Sequence, residues 1–148
     1  MKSHHILSHT ADVRLRAEGS TQEELFRTAL EGMAEIQNAK RIRQRAEQSE
    51  RIEKNIKITS TDQTALLIDF LSEALAQSQI EKAVFDEVRF TKIFDARSTS
   101  SGRVELEAEI SGARVEGFGE DIKAVTYHGA EIVKNAAGNY EATILFDI

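Results

Sequence analysis

Residues 140–148 read Tyr140-Glu141-Ala142-Thr143-Ile144-Leu145-Phe146-Asp147-Ile148. Tyr140, Ala142, Ile144, Phe146 and Ile148 alternate with the remaining positions. Successive side chains of a strand point to opposite faces, so this stretch predicts a strand with one face in a core. Glu141, Thr143, Leu145 and Asp147 fall on the other face. Chain ends fray unless something ties them down; an apolar, β-branched last residue predicts a strand ordered to its end. The Asp147 carboxylate and the α-carboxylate of Ile148 then stand one residue apart. Like charges held so close call for a cation or a donor between them.

Working upstream, Asn135-Ala136-Ala137-Gly138-Asn139 reads as the turn into this strand, and residues 121–133 as the segment before it. Residues 111–120 read as a glycine-rich loop. Arg103–Ile110 alternates with Val104, Leu106, Ala108 and Ile110 inward and Arg103, Glu105, Glu107 and Glu109 outward. With the strand-like run that starts at Ala83 and the turn Ser98-Thr99-Ser100-Ser101-Gly102, it predicts a hairpin. Two helices precede the hairpin. Ser60, Thr61 and Asp62 can cap one over about 62–80, with Leu66, Leu67, Phe70, Leu71, Ala74 and Leu75 as a broad stripe. Asp69 falls away from the stripe's centre, which predicts a solvated position. The other helix starts at Ser20, where Ser20-Thr21-Gln22-Glu23 has capping-box spacing. It carries Leu25, Phe26, Ala29, Leu30, Met33 and Ala34 on one face and fades near Asn38. Residues 4–18 read as a first strand, interrupted at Thr10-Ala11-Asp12 where a bulge or loop could fall. Helices interspersed early and strands gathered late predict an α+β fold, two helices packed on one face of a mostly antiparallel sheet.

The 148 residues are 41% hydrophobic and 30% charged, the composition of one soluble domain spanning 1–148. A net charge of −6 argues against general affinity for nucleic acid. The absence of cysteine excludes disulfides, thiolate metal sites and cysteine nucleophiles. No apolar run approaches the ~20 residues of a membrane span, and Met1–Ile6 lacks a signal's apolar core. The expected address is cytoplasmic. One segment runs against the overall charge: residues 40–57 hold seven basic residues (Lys40, Arg41, Arg43, Arg45, Arg51, Lys54, Lys57) against Glu47, Glu50 and Glu53. It reads first as a soluble connection, with RNA phosphate or an acidic protein surface as alternative partners. It has no aromatic residue on which bases could stack. Ile52, Ile56 and Ile58 make its second half a strand at a sheet edge, where lysines discourage stray pairing.

Several catalytic or binding constellations are poorly supported. Gly117-Phe118-Gly119 lacks the third glycine and the following helix of a dinucleotide loop. No serine sits in a nucleophile elbow. His5 and His9 on one strand would lie ~13 Å apart at ~3.3 Å per residue, too far to share an ion. Oxygen ligands remain. Asp12, Asp147 and the Ile148 carboxylate offer three anionic groups to a hard divalent cation, and Ca²⁺ takes such oxygens with looser geometry than Mg²⁺. Spacing alone does not bring Asp12 to Asp147.

The motifs His9-Thr10-Ala11-Asp12-Val13 followed by Gly19, then Leu66-Leu67-Ile68-Asp69-Phe70-Leu71, Lys123-Ala124-Val125-Thr126-Tyr127-His128 and Phe146-Asp147-Ile148 resemble, in this order and over nearly the whole chain, the archease family. The resemblance implies an α+β sandwich. It also implies an accessory protein of the GTP-dependent tRNA-splicing RNA ligase, promoting that enzyme's guanylylation and multiple turnover in tRNA splicing and RNA repair. Such a protein would not itself be an enzyme, and any RNA contact would be indirect or weak. A chaperone-like protein-binding module acting on nucleic-acid-processing enzymes is the alternative. The metal ligands implied are Asp12, Asp147 and Ile148, holding a divalent ion: Ca²⁺ in a crystal, Mg²⁺ or Mn²⁺ in function. Lys123, His128 and His9 would stand behind them or touch the partner. The short loop 111–120 and the basic segment 40–57 depart from the family's pattern.

Overall fold

The structure, a computed structural model, describes residues 12–38, 50–93 and 102–148. Its elements are β1 (Asp12–Gly19), α1 (Gln22–Gln37), β2 (Arg51–Ser60), α2 (Gln63–Glu81), β3 (Ala83–Ile93), β4 (Val104–Arg114), β5 (Ala124–Thr126), β6 (Val133–Lys134) and β7 (Tyr140–Asp147). The turn residues 98–101 and the first part of the basic segment lie outside the described residues. All strand pairs are antiparallel, and they form two sheets: β1-β7-β5, with β6 also pairing β7, and β2-β4-β3. The best-alternating stretches, β4 and β7, are the two central strands. β2, with Lys54 and Lys57, is an edge.

Each helix contacts both sheets. α1 meets β1 and β7 of the first and β3 of the second, while α2 meets β5 of the first and all three strands of the second. The helices are therefore a middle layer, and each sheet has helices on one face. This explains α2's composition. Its buried residues include Ile68 and Ser78 besides the expected stripe, as in a helix covered on most sides. Phe26 of α1, Phe70 of α2 and Phe90 of β3 form a chain of tilted rings with centroids 5.8 and 5.9 Å apart.

Local chemistry sets the boundaries. The α1 cap is Thr21, one residue later than expected, its hydroxyl accepting from the Glu24 N–H at 3.0 Å. Glu24 reaches back to the Ser20 N–H at 2.5 Å and the Ser20 hydroxyl at 2.8 Å. The box thus closes on Thr21 and Glu24 because Ser20 serves as donor, not cap. Asp62 caps α2 through the Ala65 N–H at 2.8 Å. β4 does not stop where a glycine-rich loop was expected but continues through Gly112 to Arg114. Opposite it, β3 is bulged between Phe85 and Glu87, and a Cβ on Gly112 would lie 1.9 Å from the Val84 carbonyl oxygen. Glycine here is a strand residue admitting a close backbone approach. The Asn135 side-chain oxygen accepts from the Ala137 and Asn139 N–H groups, each at 3.0 Å, making the expected turn into β7. Among the described residues no helix is long and apolar enough to cross a membrane.

Candidate functional site

β7 runs between β1 and β5, and its register decides what the two ends of the chain share. Asp12 is the direct partner of Asp147, which is in turn the partner of Ala124. Ala142, Ile144 and Phe146 are buried against the helices, so Glu141, Thr143, Leu145 and Asp147 face outward. On β1 the outward residues are Asp12, Arg14, Arg16 and Glu18. Directly opposed residues of an antiparallel pair have Cβ atoms about 4.5–5.5 Å apart, so the Asp12 and Asp147 carboxylates can converge on one point. The Lys123 N–H donates to the Asp147 carbonyl at 2.7 Å, extending the β5 pairing to the strand's end. Ile148 packs partly against the core, which holds the residue after Asp147 in place.

The same sheet contains a second pair of opposed acids, and the contrast is informative. Glu18 faces Glu141. There the Asn135 side-chain amide donates to Glu18 at 2.6 Å and to Glu141 at 2.9 Å. Asn139 donates to Glu18 at 2.9 Å, and Arg16 lies 3.7 Å from Glu141. Hydrogen bonds from Asn139 and then Asn135 hold the Glu18 carboxyl below its ordinary value. At the Asp12–Asp147 end, no described residue donates a side-chain hydrogen bond or ion pair to either carboxylate. Like charges directly opposite are destabilising in a sheet, and among the described residues only the Glu18–Glu141 pair is supplied with side-chain donors.

Among the described residues no three His, Asp or Glu side chains gather as a metal cluster. The grouping among the described residues is the two side-chain carboxylates of Asp12 and Asp147, facing each other across the β1–β7 ladder. Those are hard oxygen donors of the kind Ca²⁺, Mg²⁺ and Mn²⁺ accept. His4, His5 and His9 lie outside the described residues. His128 is exposed on the turn after β5, where its N–H donates to the Thr126 hydroxyl at 3.3 Å. With Arg14, Gly129, Thr143 and Leu145 it walls a depression of about 160 Å³ on the outer face. The Lys123 side chain is exposed.

Sequence reasoning missed one part of this neighbourhood. Asp69 is half-buried and paired instead of simply solvated: it accepts from the Ser60 hydroxyl at 2.6 Å and from the Tyr127 phenol. That hydrogen bond, with burial and the aspartate's charge, pushes the phenol above its usual pKa. Asp69 thereby ties α2 to β2 and to the β5 turn that carries His128. No local pattern could have shown this, because both donors come from distant segments.

The Archease protein family (MTH1598/TM1083) matches residues 4–148. A "Protein archease" of Methanosarcina barkeri is 34% identical over 99% of this chain and 97% of its own length. One from Methanosarcina mazei is 32% identical over 99% and 97%. Among solved structures, the solution structure of Methanobacterium thermoautotrophicum protein 1598 superposes with a TM-score of 0.69 at 26% identity, covering 96% of both chains. The crystal structure of an "archease, possible chaperone" from Thermotoga maritima gives 0.67 at 15% identity over 100% and 99%, a likeness of fold.

Proposed function

Because the chain belongs to the archease family, we propose that it is a metal-binding accessory protein of the tRNA-splicing RNA ligase, promoting guanylylation and multiple turnover of that enzyme. The observation that carries the reading is the opposition of Asp12 and Asp147 across β1 and β7, with no side-chain donor to either among the described residues. A divalent cation there converts a repulsive pair into a bound one. The ligands are the two aspartates and the Ile148 carboxyl group. The β1–β7 ladder sets the spacing of the aspartates, and the Lys123 N–H fixes the end of β7. A divalent ion neutralises negative charge on a phosphoryl group in transfer. This chain's part is to present the carboxylates at a sheet end, on the outer face and away from the core.

The test is guanylylation of purified ligase with GTP and metal, with and without the protein. Wild type is expected to restore turnover, and Asp12→Ala and Asp147→Ala to lose the effect. Calorimetric titration of Ca²⁺, Mg²⁺ and Mn²⁺ into the same three proteins reports the site directly; equal affinity in all three rules out the assignment. A short extension beyond Ile148 leaves both aspartates and moves the carboxyl group, so unaltered metal binding removes Ile148 from the ligand set. Ligase kept soluble but not guanylylated faster would point to the chaperone-like alternative.

A further inference from the structure

The depression beside the acid pair has a chemistry of its own. Arg14 lies two residues along β1 from Asp12, on the same outward face and opposite Leu145. The two side chains therefore leave the strand ~7 Å apart at ~3.3–3.4 Å per residue. Arg16, the next guanidinium on this face, is drawn toward Glu141 at 3.7 Å. Arg14 makes no ion pair with any described residue. Across the depression stands His128, held by its turn: Ala130 N–H donates to Tyr127 O at 3.1 Å, and Gly129 takes the φ of +71° that this turn requires. The Tyr127 phenol, bonded to Asp69, anchors the turn on its other side. Thr143 supplies a hydroxyl and Leu145 an apolar floor.

We propose that this depression is an anion subsite that receives a phosphate monoester group, with Arg14 as its principal donor and His128 and Thr143 beside it. A guanidinium presents paired N–H groups that match phosphate oxygens, and charge-assisted hydrogen bonds of this kind are the strong ones. The size agrees. At about 160 Å³ the depression is below the roughly 300–1,000 Å³ of whole-ligand pockets. One phosphate enters and the rest of its molecule stays outside.

The neighbouring acids give the subsite a condition. Two carboxylates next to the depression repel a phosphate, and a divalent cation on them reverses that sign. Phosphate and metal should bind cooperatively, each raising the other's affinity by the same factor. This coupling rests on the metal reading above; the Arg14 assignment does not. Two sources carry the same chemistry, a 5′-mononucleotide and a 3′-phosphorylated RNA end.

The experiment titrates inorganic phosphate, guanosine 5′-monophosphate and a 3′-phosphorylated dinucleotide into the protein, with and without saturating Mg²⁺, by calorimetry and by amide shifts. Wild type should bind at least one of them, with shifts at residues 126–129 and 143–145. Arg14→Ala should weaken binding about 10- to 100-fold, in line with one charged hydrogen-bonding group; Arg14→Lys should fall between, and Arg16→Ala should match wild type. Whichever organic phosphate exceeds inorganic phosphate identifies the source. Mg²⁺ titration into Arg14→Ala without phosphate should show binding no weaker than wild type, since a neighbouring positive charge has been removed. If wild type binds no Mg²⁺ but Arg14 still governs phosphate binding, the metal reading fails and the subsite stands. No phosphate binding by wild type in either condition, or equal binding by Arg14→Ala, overturns the subsite.

Discussion

At the scale of single residues, two acid pairs on one sheet face make opposite predictions. Glu18 and Glu141 are bridged by Asn135, so Glu18→Gln should lower thermal stability by removing charge from two donors, Asn135 and Asn139. Asp147→Asn should instead raise metal-free stability by about 0.2–1 kcal/mol, because it relieves a like-charge pair that no described side chain bridges. Added Ca²⁺ should raise the melting temperature of wild type and leave Asp147→Asn unmoved. Scanning calorimetry with and without metal checks both signs. A metal-free loss of stability in Asp147→Asn would show that a donor already serves this carboxylate. The alternation of residues 140–148 made the face of Asp147 legible, whereas Asp12 read as part of an interruption and is the first residue of β1; the family resemblance is what paired them. Periodicity could not have done so, because it is blind to which strand lies alongside. Asp69 shows the same limit from another side: the helical wheel placed it correctly on α2, but its partners come from β2 and the turn after β5.

At the scale of elements, the α1 start and the β3–β4 hairpin are the informative cases. Glu24 is held below its ordinary value of 4.5, chiefly by the Ser20 N–H and then by the Ser20 hydroxyl. A depressed carboxyl contributes stability that is fully present above the unfolded value and is lost as pH falls through the folded one. The melting-temperature gap between wild type and Glu24→Gln should therefore be constant above the ordinary value of 4.5 and shrink as the pH falls below it through the lowered folded value. Capping chemistry was legible to within one residue because serine, threonine and glutamate are all present. Sequence does not say which hydroxyl accepts and which donates. Gly112 was misread because glycine is most often a mark of loops. Its Cβ would meet a backbone oxygen that cannot move aside. Gly112→Ala should cost about 3 kcal/mol or more, at or beyond the upper end of overpacking. Urea denaturation checks this, and a cost under about 1 kcal/mol would mean that the β3 bulge relaxes.

At the scale of the molecule, the α+β class and the helix-covered sheet faces were legible from alternation and stripe alone. The division into two sheets was not, because β4 and β7 alternate identically whether they share one sheet or lie in two. The middle-layer position of the helices carries its own prediction. Ile68, outside the expected stripe of α2, is fully buried. Ile68→Ala should cost about 2–5 kcal/mol, the same range as Leu71→Ala. A helix covered on one side only would show Ile68→Ala within about 0.5 kcal/mol of wild type.

The β1–β7 ladder has a temporal meaning as well. Its partners come from opposite ends of the chain, and contacts between residues so distant in sequence form slowly, after local hairpins and helices. Residues 83–93 and 104–114 can zip locally, but nothing local brings Asp12 to Asp147. Any partly folded species lacking either outer segment presents one carboxylate, never the opposed two. The acidic pair is thus a mark of completed folding, visible to a metal ion or a partner only on a finished molecule.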